Sequence, residues 1–242
     1  MTNFKLKYKR YGERSILIEW PSEIDTEILQ DILIFKETIE RSIFKVIIEI
    51  KSAYNSILIS YKNIITDYKE VVCLLKNLYN SKGGSLNRSA ILWKIPVCYD
   101  DTFGLDLDIV SKTNQLEKEH IIKLHSEVMY TVYFIGFLPG FLYLGGLDDA
   151  LDIPRKDTPR LQIEKGSVGI GSNQTGIYPD ISPGGWNIIG NSPINFFNPK
   201  SDIPCFAKPG DRIKFYPISL KEHQNIKVSV SSGMYKMQNE AL

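Results

Sequence analysis

A histidine beside a glycine-rich segment is the first residue of this chain whose type could support chemistry. His125 lies near the end of a predicted helix that leads into the segment GFLPGF. Because an imidazole titrates near neutral pH, His125 is a candidate general acid or base. Its position alone favours a partly exposed histidine on a helix face, so both interpretations stay open at this point.

A short basic run is the second candidate, and it would act on anions. Arg155, Lys156 and Arg160 fall within IPRKDTPR, where a proline stands close to each arginine. Guanidinium groups bind carboxylates and phosphates through two parallel hydrogen bonds, and proline restricts the backbone that carries them. A solvated loop with ordinary salt bridges to neighbouring carboxylates explains the same pattern equally well.

The third candidate is the stretch 169–190, in which glycines alternate with aromatic and polar residues. Its polar side chains and backbone donors stand next to a large aromatic ring: Gln174, Thr175, Gly184, Gly185 and Trp186. Clusters of backbone N–H groups suit an oxyanion or a phosphate. Gln174 favours a binding role, because an amide among turn glycines has little to pack against. Trp186 taken alone favours a place in a core.

Composition and motif spacing exclude several classes of protein. The chain has 242 residues, with 29 basic and 28 acidic side chains and a net charge of +1, so no nucleic-acid partner is predicted. Cys73, Cys98 and Cys205 form no CxxC pair, and the histidines lack metal-ligand spacing, so we expect reduced thiols and no metal site. Neither a nucleotide-binding glycine motif nor a GxSxG nucleophile motif is present.

No targeting segment or membrane span is predicted. The N-terminal residues are charged and lack the apolar stretch of a signal peptide. The most apolar run, 131–146, is shorter than the roughly 18 residues that a span requires. We therefore expect a cytoplasmic protein with no membrane partner.

The first part of the chain alternates between strands and helices. Apolar and β-branched runs predict strands at 15–20, 44–50, 56–61 and 90–99. Helical spacing predicts one helix that starts after Ser22 and another at 66–80. The order β-α-β-β-α-β is the ferredoxin-like arrangement. The turn-rich segment 81–87 predicts a boundary between an N-terminal α+β domain, 1–88, and a second domain, 89–242.

The second part of the chain predicts a mainly-β domain. Two short helices are expected at 105–111 and 117–130. From residue 132 onward, short apolar runs such as SVGIG, WNIIG, RIKFYPI and KVSVSS alternate with turn residues. Many short strands with frequent turns indicate a β-barrel or a β-sandwich.

Four segments together resemble a known family. They are HSEVMYTVYFIGFLPGFLYLGGL, PRKDTPRLQIEKGSVGIGSNQTGIYP, SPGGWNIIGNSP and KPGDRIKFYPI, which fall between residues 95 and 218. They resemble the signature of the B-type subunit of bacterial 5-oxoprolinase, a family that includes the kinase inhibitor KipI and the first component of allophanate hydrolase. The resemblance implies a cyclophilin-like β-barrel in the second domain.

The resemblance also implies partners and an activity. With a larger homologous C-type subunit and an A-type subunit, such a chain forms an ATP-dependent 5-oxoprolinase, which hydrolyses 5-oxo-L-proline to L-glutamate. ATP with Mg would act at the level of the complex, and the chain alone would be inactive and hold no nucleotide tightly. The alternatives are a KipI-like inhibitor that grips the dimerisation domain of a sensor histidine kinase, and a component of allophanate hydrolase.

Under this resemblance the candidate residues take roles. His125 would shuttle a proton, Arg155 and Arg160 would hold phosphate or carboxylate, and Gln174 would orient the lactam. The substrate-binding set would be Gly136, Phe137, Pro139, Gly140, Thr175, Tyr178, Gly184, Gly185 and Trp186. The chain departs from the family pattern at Leu105, where proline is usual, and at Asn191, where arginine is usual. The second departure removes one cation near the expected site.

Overall fold

The computed structural model of the protein describes residues 4–84 and 89–242. The chain divides into a first compact unit that ends at Ser89 and a second one from Ala90 to Leu242. The predicted turn at 81–87 and the boundary after residue 88 lie partly outside the described residues. The domain limits 1–88 and 89–242 therefore stay a prediction.

The first unit combines a four-stranded antiparallel sheet with two helices. The strands are β1 (Lys7–Arg10), β2 (Ser15–Glu19), β3 (Ile47–Ser52) and β4 (Ser56–Tyr61), in the order β1-β2-β4-β3. The helices are α1 (Thr26–Ile43), which a short 3-10 turn at Phe44–Val46 follows, and α2 (Tyr68–Asn80).

Apolar spacing and capping explain these elements. Alternate residues of β2 and β4 share one core with the apolar stripe of α1 and with Leu75 of α2. The fully buried members of this core are Ile16, Ile18, Ile32, Phe35, Ile39, Ile57, Ile59 and Leu75. Burying one such side chain contributes about 1.5–3 kcal/mol. The carboxylate of Asp25 accepts the backbone N–H groups of Glu27 at 2.6 Å and Ile28 at 3.2 Å. Asp25 therefore caps α1, and the prediction of a start at Ser22 was wrong.

The predicted ferredoxin-like order needs a correction. The strand expected at 90–99 is β5 (Ile91–Val97), which pairs with strands of the second unit and takes no part in the four-stranded sheet. The first unit instead uses β1, which the sequence pattern did not predict. Local propensity marks a strand without naming its partners, because pairing depends on distant residues.

The second unit is built on an eight-stranded mixed sheet. Its strands are β5, β6 (Met129–Ile135), β7 (Leu142–Gly145), β9 (Ser167–Gly171), β10 (Gln174–Ile177), β12 (Asn187–Asn191), β13 (Arg212–Pro217) and β14 (Gln238–Ala241). Their order is β12-β9-β10-β7-β6-β13-β5-β14, and β8 (Arg160–Ile163) pairs with β11 (Ser182–Gly184) in a separate two-stranded sheet. Helices α3 (Leu107–Asn114), α4 (Lys118–Glu127) and α5 (Leu220–Ser231) complete the unit.

The expectation of a closed barrel is met only in part. The structure is a mixed α/β arrangement, and in the part of the chain that it describes no continuous ladder joins the end strands β12 and β14. A single bridge connects Cys98, just after β5, to Asn191 at the end of β12, with both N···O distances at 2.9 Å. The main core lies on the inner face of this sheet.

One expected strand is a helix. The run KVSVSS belongs to α5, which starts with a capping box between Ser219 and Glu222. The capping signal lies upstream of the β-branched run, and the helix it starts overrides the strand propensity of Val228 and Val230. None of the described helices is long and apolar enough to cross a lipid bilayer.

Candidate functional site

The predicted site residues of strands β9 and β10 lie on two opposite faces of the sheet. Val168, Ile170 and Ile177 point into the main core, as does Thr175. Because successive side chains of a strand alternate, the glycines at 169, 171 and 176 lie on the opposite face, together with Gln174. We call this second side the outer face.

Trp186 covers the glycines of the outer face. A Cβ atom placed on Gly171 would stand 2.7 Å from the indole ring, and one on Gly176 would stand 3.0 Å from it. Trp186 is 4% exposed, so its ring lies against the strands. Packing of this ring therefore accounts for the glycine-rich sequence of β9 and β10.

An aromatic cluster surrounds Trp186. The ring centroid of Phe141 is 5.6 Å from that of Trp186 and 5.0 Å from that of Tyr178. Tyr143 stacks on Phe134 at 4.2 Å and meets Trp186 edge-on at 5.9 Å. Such tilted and stacked contacts favour one fixed arrangement of rings.

One aromatic side chain of this cluster is presented to solvent. Phe137 is 61% exposed and has a φ of +66°, a left-handed conformation that is uncommon for a bulky residue. The surrounding turn holds it there through backbone hydrogen bonds from Leu138 to Gly136 at 2.9 Å and from Phe141 to Leu138 at 3.0 Å. Gly140 (φ +85°) closes the turn against Phe196 and Phe197, and Pro139 is exposed beside it.

Arg155 is the exposed cation of the outer face. Its guanidinium carbon lies 5.6 Å from the ring centroid of Trp186. Among the described residues, no carboxylate lies within ion-pair distance of Arg155. Burial raises the pKa of Tyr178 to about 12, while the charge of Arg155 acts in the opposite direction.

Arg160 and Lys156 have a different environment, because both are paired. Arg160 places its two terminal nitrogens on the carboxylate of Asp106 at 2.6 and 2.7 Å, and Lys156 Nζ reaches the same carboxylate at 3.0 Å. The backbone N–H of Ile188 adds a fourth hydrogen bond at 2.7 Å. The prediction that Arg160 is available to an anion therefore needs a correction.

The Asp106 carboxylate is fully buried and charged. Burial favours its neutral form, but the hydrogen bonds from Arg160, Ile188 and Lys156 outweigh that effect and hold the pKa of Asp106 below its ordinary value. Two further hydrogen bonds fasten the segment 154–160, from Lys156 N–H to the carbonyl of Gly185 at 2.7 Å and from the amide of Asn187 to the carbonyl of Pro154 at 2.9 Å. Arg155 is thus carried on a backbone fixed on both sides.

His125 lies on the opposite, core side and has both ring nitrogens occupied. Thr175 Oγ1 donates to the carbonyl of Gly169 at 3.0 Å, so at 2.9 Å it accepts from His125 Nε2–H. Nδ1 then accepts from the Tyr99 hydroxyl at 2.7 Å. The ring also stacks on Phe215 at 4.7 Å.

The role expected for His125 changes accordingly. The residue is fully buried, and burial lowers its pKa to about 3. A neutral imidazole that is shielded from solvent and doubly hydrogen-bonded orders the core and is not placed to shuttle a proton. Thr175 shares this position, so it does not face a substrate on the outer face.

The remaining predicted glycines shape the site. A Cβ on Gly184 would overlap the Tyr178 hydroxyl and would stand 2.7 Å from Ile163. Gly185 serves through its carbonyl, which accepts Lys156 N–H. The structure thus brings Arg155, Gln174, Trp186, Tyr178 and Phe137 to one face or its edge, whereas Gly136, Gly140, Gly184 and Gly185 support it.

Sequence reasoning missed Asp106. It treated the aromatic residues of 134–143 as candidates for a partner interface and did not place Phe141 or Tyr143 in the substrate-binding set. Asp106 is 50 residues from Lys156 and 54 from Arg160 in the chain, so no local pattern could pair them. Within residues 4–84 and 89–242, no group of three or more histidine, cysteine or acidic side chains could hold a metal ion.

Comparison with known proteins fits this architecture. Residues 6–207 match the family model described as carboxyltransferase domain, subdomain C and D. The chain is 34% identical to the B-type subunit of 5-oxoprolinase from Bacillus subtilis over 236 residues, covering 92% of this chain and 97% of that protein. The chain belongs to the family of 5-oxoprolinase B-type subunits.

Two further relatives show how widely the family extends. The B-type 5-oxoprolinase subunit of Escherichia coli is 46% identical over 124 residues, which are 51% of this chain and 57% of that protein. The Kluyveromyces lactis urea amidolyase structure shares the fold, with a TM-score of 0.84 and 21% identity over 99% of this chain. The matched region is 16% of that much longer chain.

Proposed function

We propose that this chain acts as the B-type subunit of an ATP-dependent 5-oxoprolinase. In that role it joins an A-type subunit and a homologous C-type subunit in a cytoplasmic complex that hydrolyses 5-oxo-L-proline to L-glutamate. The similarity to the Bacillus protein over nearly its full length supports this assignment. All three cysteines are free thiols, which suits a reducing compartment.

The position of Arg155 above Trp186, with no ion-pair partner among the described residues, is the structural observation that carries the proposal. 5-Oxoproline has one carboxylate and a nearly flat lactam ring. A guanidinium binds a carboxylate through two parallel hydrogen bonds, and a neighbouring aromatic face accepts a flat ring. Arg155 then holds the carboxylate, while the lactam lies toward the aromatic cluster and Gln174 on the same face offers its amide.

The reaction itself explains why partners are required. A lactam is a weak electrophile, and ATP with Mg would supply activation of its amide oxygen within the complex, with ADP and phosphate as the products of ATP. Overall, water is added across the ring C–N bond: the carbonyl carbon gains the hydroxyl oxygen, and the nitrogen takes a proton and becomes the amine of glutamate. This chain binds and orients the substrate, and because His125 is inaccessible, the proton-transfer group comes from one of the partners.

We also propose that the fold of the second unit is related to that of cyclophilin-like β-barrels. The bridge between Cys98 and Asn191 supports this, since it connects β5 with β12 on opposite sides of the sheet order. A kinase dimerisation domain is a less favoured partner, because the relatives described above carry 5-oxoprolinase and urea amidolyase names.

The test is reconstitution with the purified A-type and C-type subunits. Arg155→Gln is expected to raise the KM for 5-oxoproline at least roughly tenfold, the loss typical of a charge-assisted hydrogen bond. The matched control is Arg41→Gln, which removes an exposed arginine of α1. A wild-type complex that forms no glutamate overturns the function, and normal kinetics in Arg155→Gln overturn the assignment of this site.

A further inference from the structure

A second cleft of the second unit lies beside α5 and contains none of the residues assigned above to the substrate. It has a volume of about 360 Å³. We call it the α5 cleft, and its walls include Phe103, Lys165, Asn191, Ser192, His223 and Lys227. A neighbouring cleft of about 330 Å³ shares Phe103, Glu164 and Asn191 with it.

The floor of the α5 cleft is a fixed pair of buried polar side chains. His223 Nε2–H donates to Asn191 Oδ1 at 2.8 Å, and Asn191 Nδ2 donates to the carbonyl of Lys165 at 2.8 Å. Asn191 is 7% exposed and His223 is 3% exposed. The ring of Phe103 lies against His223 with centroids 4.4 Å apart. The amide oxygen of Asn191 and one of its amide N–H groups are therefore engaged within the chain.

The rim of the cleft is positively charged. Lys165 and Lys227 are exposed, and in the described part of the chain neither has a carboxylate within ion-pair distance. One acid, Glu164, also lines the cleft, and its carboxylate accepts the side-chain amide of Gln162 at 2.7 Å. With two ammonium groups and one carboxylate, the charged side chains of the cleft carry a net positive charge, which suits an anion.

A buried hydroxyl in the wall lacks a hydrogen-bond partner. Ser192 is 2% exposed, and its Oγ meets no donor or acceptor among the described residues. Buried polar groups are nearly always paired, so an unpaired one calls for a missing partner. Ser192 lines the α5 cleft, and an oxygen-rich group bound there would supply that partner.

We propose that the α5 cleft binds the phosphate group of a small organic phosphate. Lysine holds phosphate as a compact point charge, whereas bidentate carboxylate binding is the property of arginine. Ser192 adds a hydroxyl, and Phe103 provides an aromatic wall for the remainder of the ligand. This site is separate from the Arg155 face. It rests on the proposed function in one respect, which is the choice of ATP as a probe.

The experiment measures binding to the isolated full-length chain by calorimetry, with ATP, AMP, inorganic phosphate and 5-oxoproline as separate probes. The wild type is expected to bind the phosphate probes more weakly as salt rises. The double variant Lys165→Gln, Lys227→Gln is expected to bind them at least about tenfold more weakly. The matched control is Lys200→Gln, Lys221→Gln, which changes two exposed lysines away from the cleft walls.

Three results would overturn the proposal. They are phosphate binding by the double variant at wild-type strength, no binding of any phosphate probe to the wild type, and binding of 5-oxoproline alone. Because neither partner is present in this measurement, the cleft can fail while reconstituted 5-oxoprolinase activity is intact. The reverse result, binding without reconstituted activity, would count against the proposed function alone.

Discussion

Arg160 holds the buried carboxylate of Asp106 with both of its terminal nitrogens, at 2.6 and 2.7 Å. This contact joins β8 to the residue that precedes α3, and Lys156 reinforces it from the same segment. The two cations that follow Arg155 in the sequence, Lys156 and Arg160, are therefore structural, and Arg155 is the exposed member of the basic run. An anion-binding role can be separated from a positioning role by changing these residues one at a time.

Asp106→Asn is expected to lower the free energy of unfolding by about 2–4 kcal/mol, because it leaves two cations facing a neutral amide. The loss should be toward the lower value, since Lys156 and Arg160 are about one-quarter exposed and can regain water. Urea unfolding at pH 7 measures it. Asp157→Asn, at an exposed position of the same segment, is the control. If Asp106→Asn loses no more unfolding free energy than the control, the contact of Asp106 with Arg160 and Lys156 does not stabilise the fold.

The same carboxylate predicts a pH dependence. The pKa of Asp106 is depressed in the folded state, so its contribution is complete above the unfolded-state pKa of about 3.9 and is lost as pH falls through the folded value. The difference in unfolding free energy between wild type and Asp106→Asn should be constant at neutral pH and should shrink below about pH 4. Urea titrations at several pH values test this, and a difference that grows in acid would be the contrary outcome.

His125→Gln is expected to change stability and leave the chemistry of the assembled complex intact. Glutamine can place its amide nitrogen where Nε2 donates to Thr175, but its amide oxygen does not then occupy the Nδ1 position that accepts from the Tyr99 hydroxyl. We therefore expect a loss of about 1–3 kcal/mol. His120→Gln, an exposed change on α4, serves as the control. A fall in kcat of His125→Gln at a temperature where it is fully folded would restore a catalytic role.

His125 also has its own pH signature. Its folded-state pKa is about 3, against an unfolded value of about 6.5. Between these two pKa values, His125 binds a proton in the unfolded chain but not in the folded one. The free energy of unfolding should therefore rise with pH and level off above about pH 6.5. The slope should be smaller in His125→Gln. Equal slopes in the two proteins would show that the buried imidazole does not titrate as described.

Gly171→Ala should displace the indole of Trp186, because the new Cβ would stand 2.7 Å from the ring. We expect a destabilisation of about 1–3 kcal/mol, the usual effect of overpacking, and a weaker contact between Arg155 and the ring. Thermal unfolding and tryptophan fluorescence report on these two effects. Gly83→Ala, where a Cβ meets no described atom within 4 Å, is the control. If the two variants behave identically, the absence of a side chain at Gly171 is not what allows Trp186 to pack there.

Much of the fold was predictable because it depends on local spacing. The helical repeat of α1 and the alternation in β2 and β4 place apolar side chains on one face, and those faces form the core of the first unit. The capping box of α5 was equally readable, although the valines after it pointed to a strand. Partner choice was not readable, as β5 shows by joining the second unit's sheet.

The candidate site divides in the same way. Residue types alone indicated a cation, an aromatic plane and turn glycines between residues 133 and 190, and they are present there. The chain's own order of amino acids therefore decided the elements and the family, because backbone preference and side-chain spacing act over a few residues. Tertiary structure alone decided that Arg155 is exposed, Arg160 paired and His125 enclosed. Burial and pairing depend on residues that are distant in the chain and meet only after folding, such as Asp106 and Arg160, which are 54 positions apart.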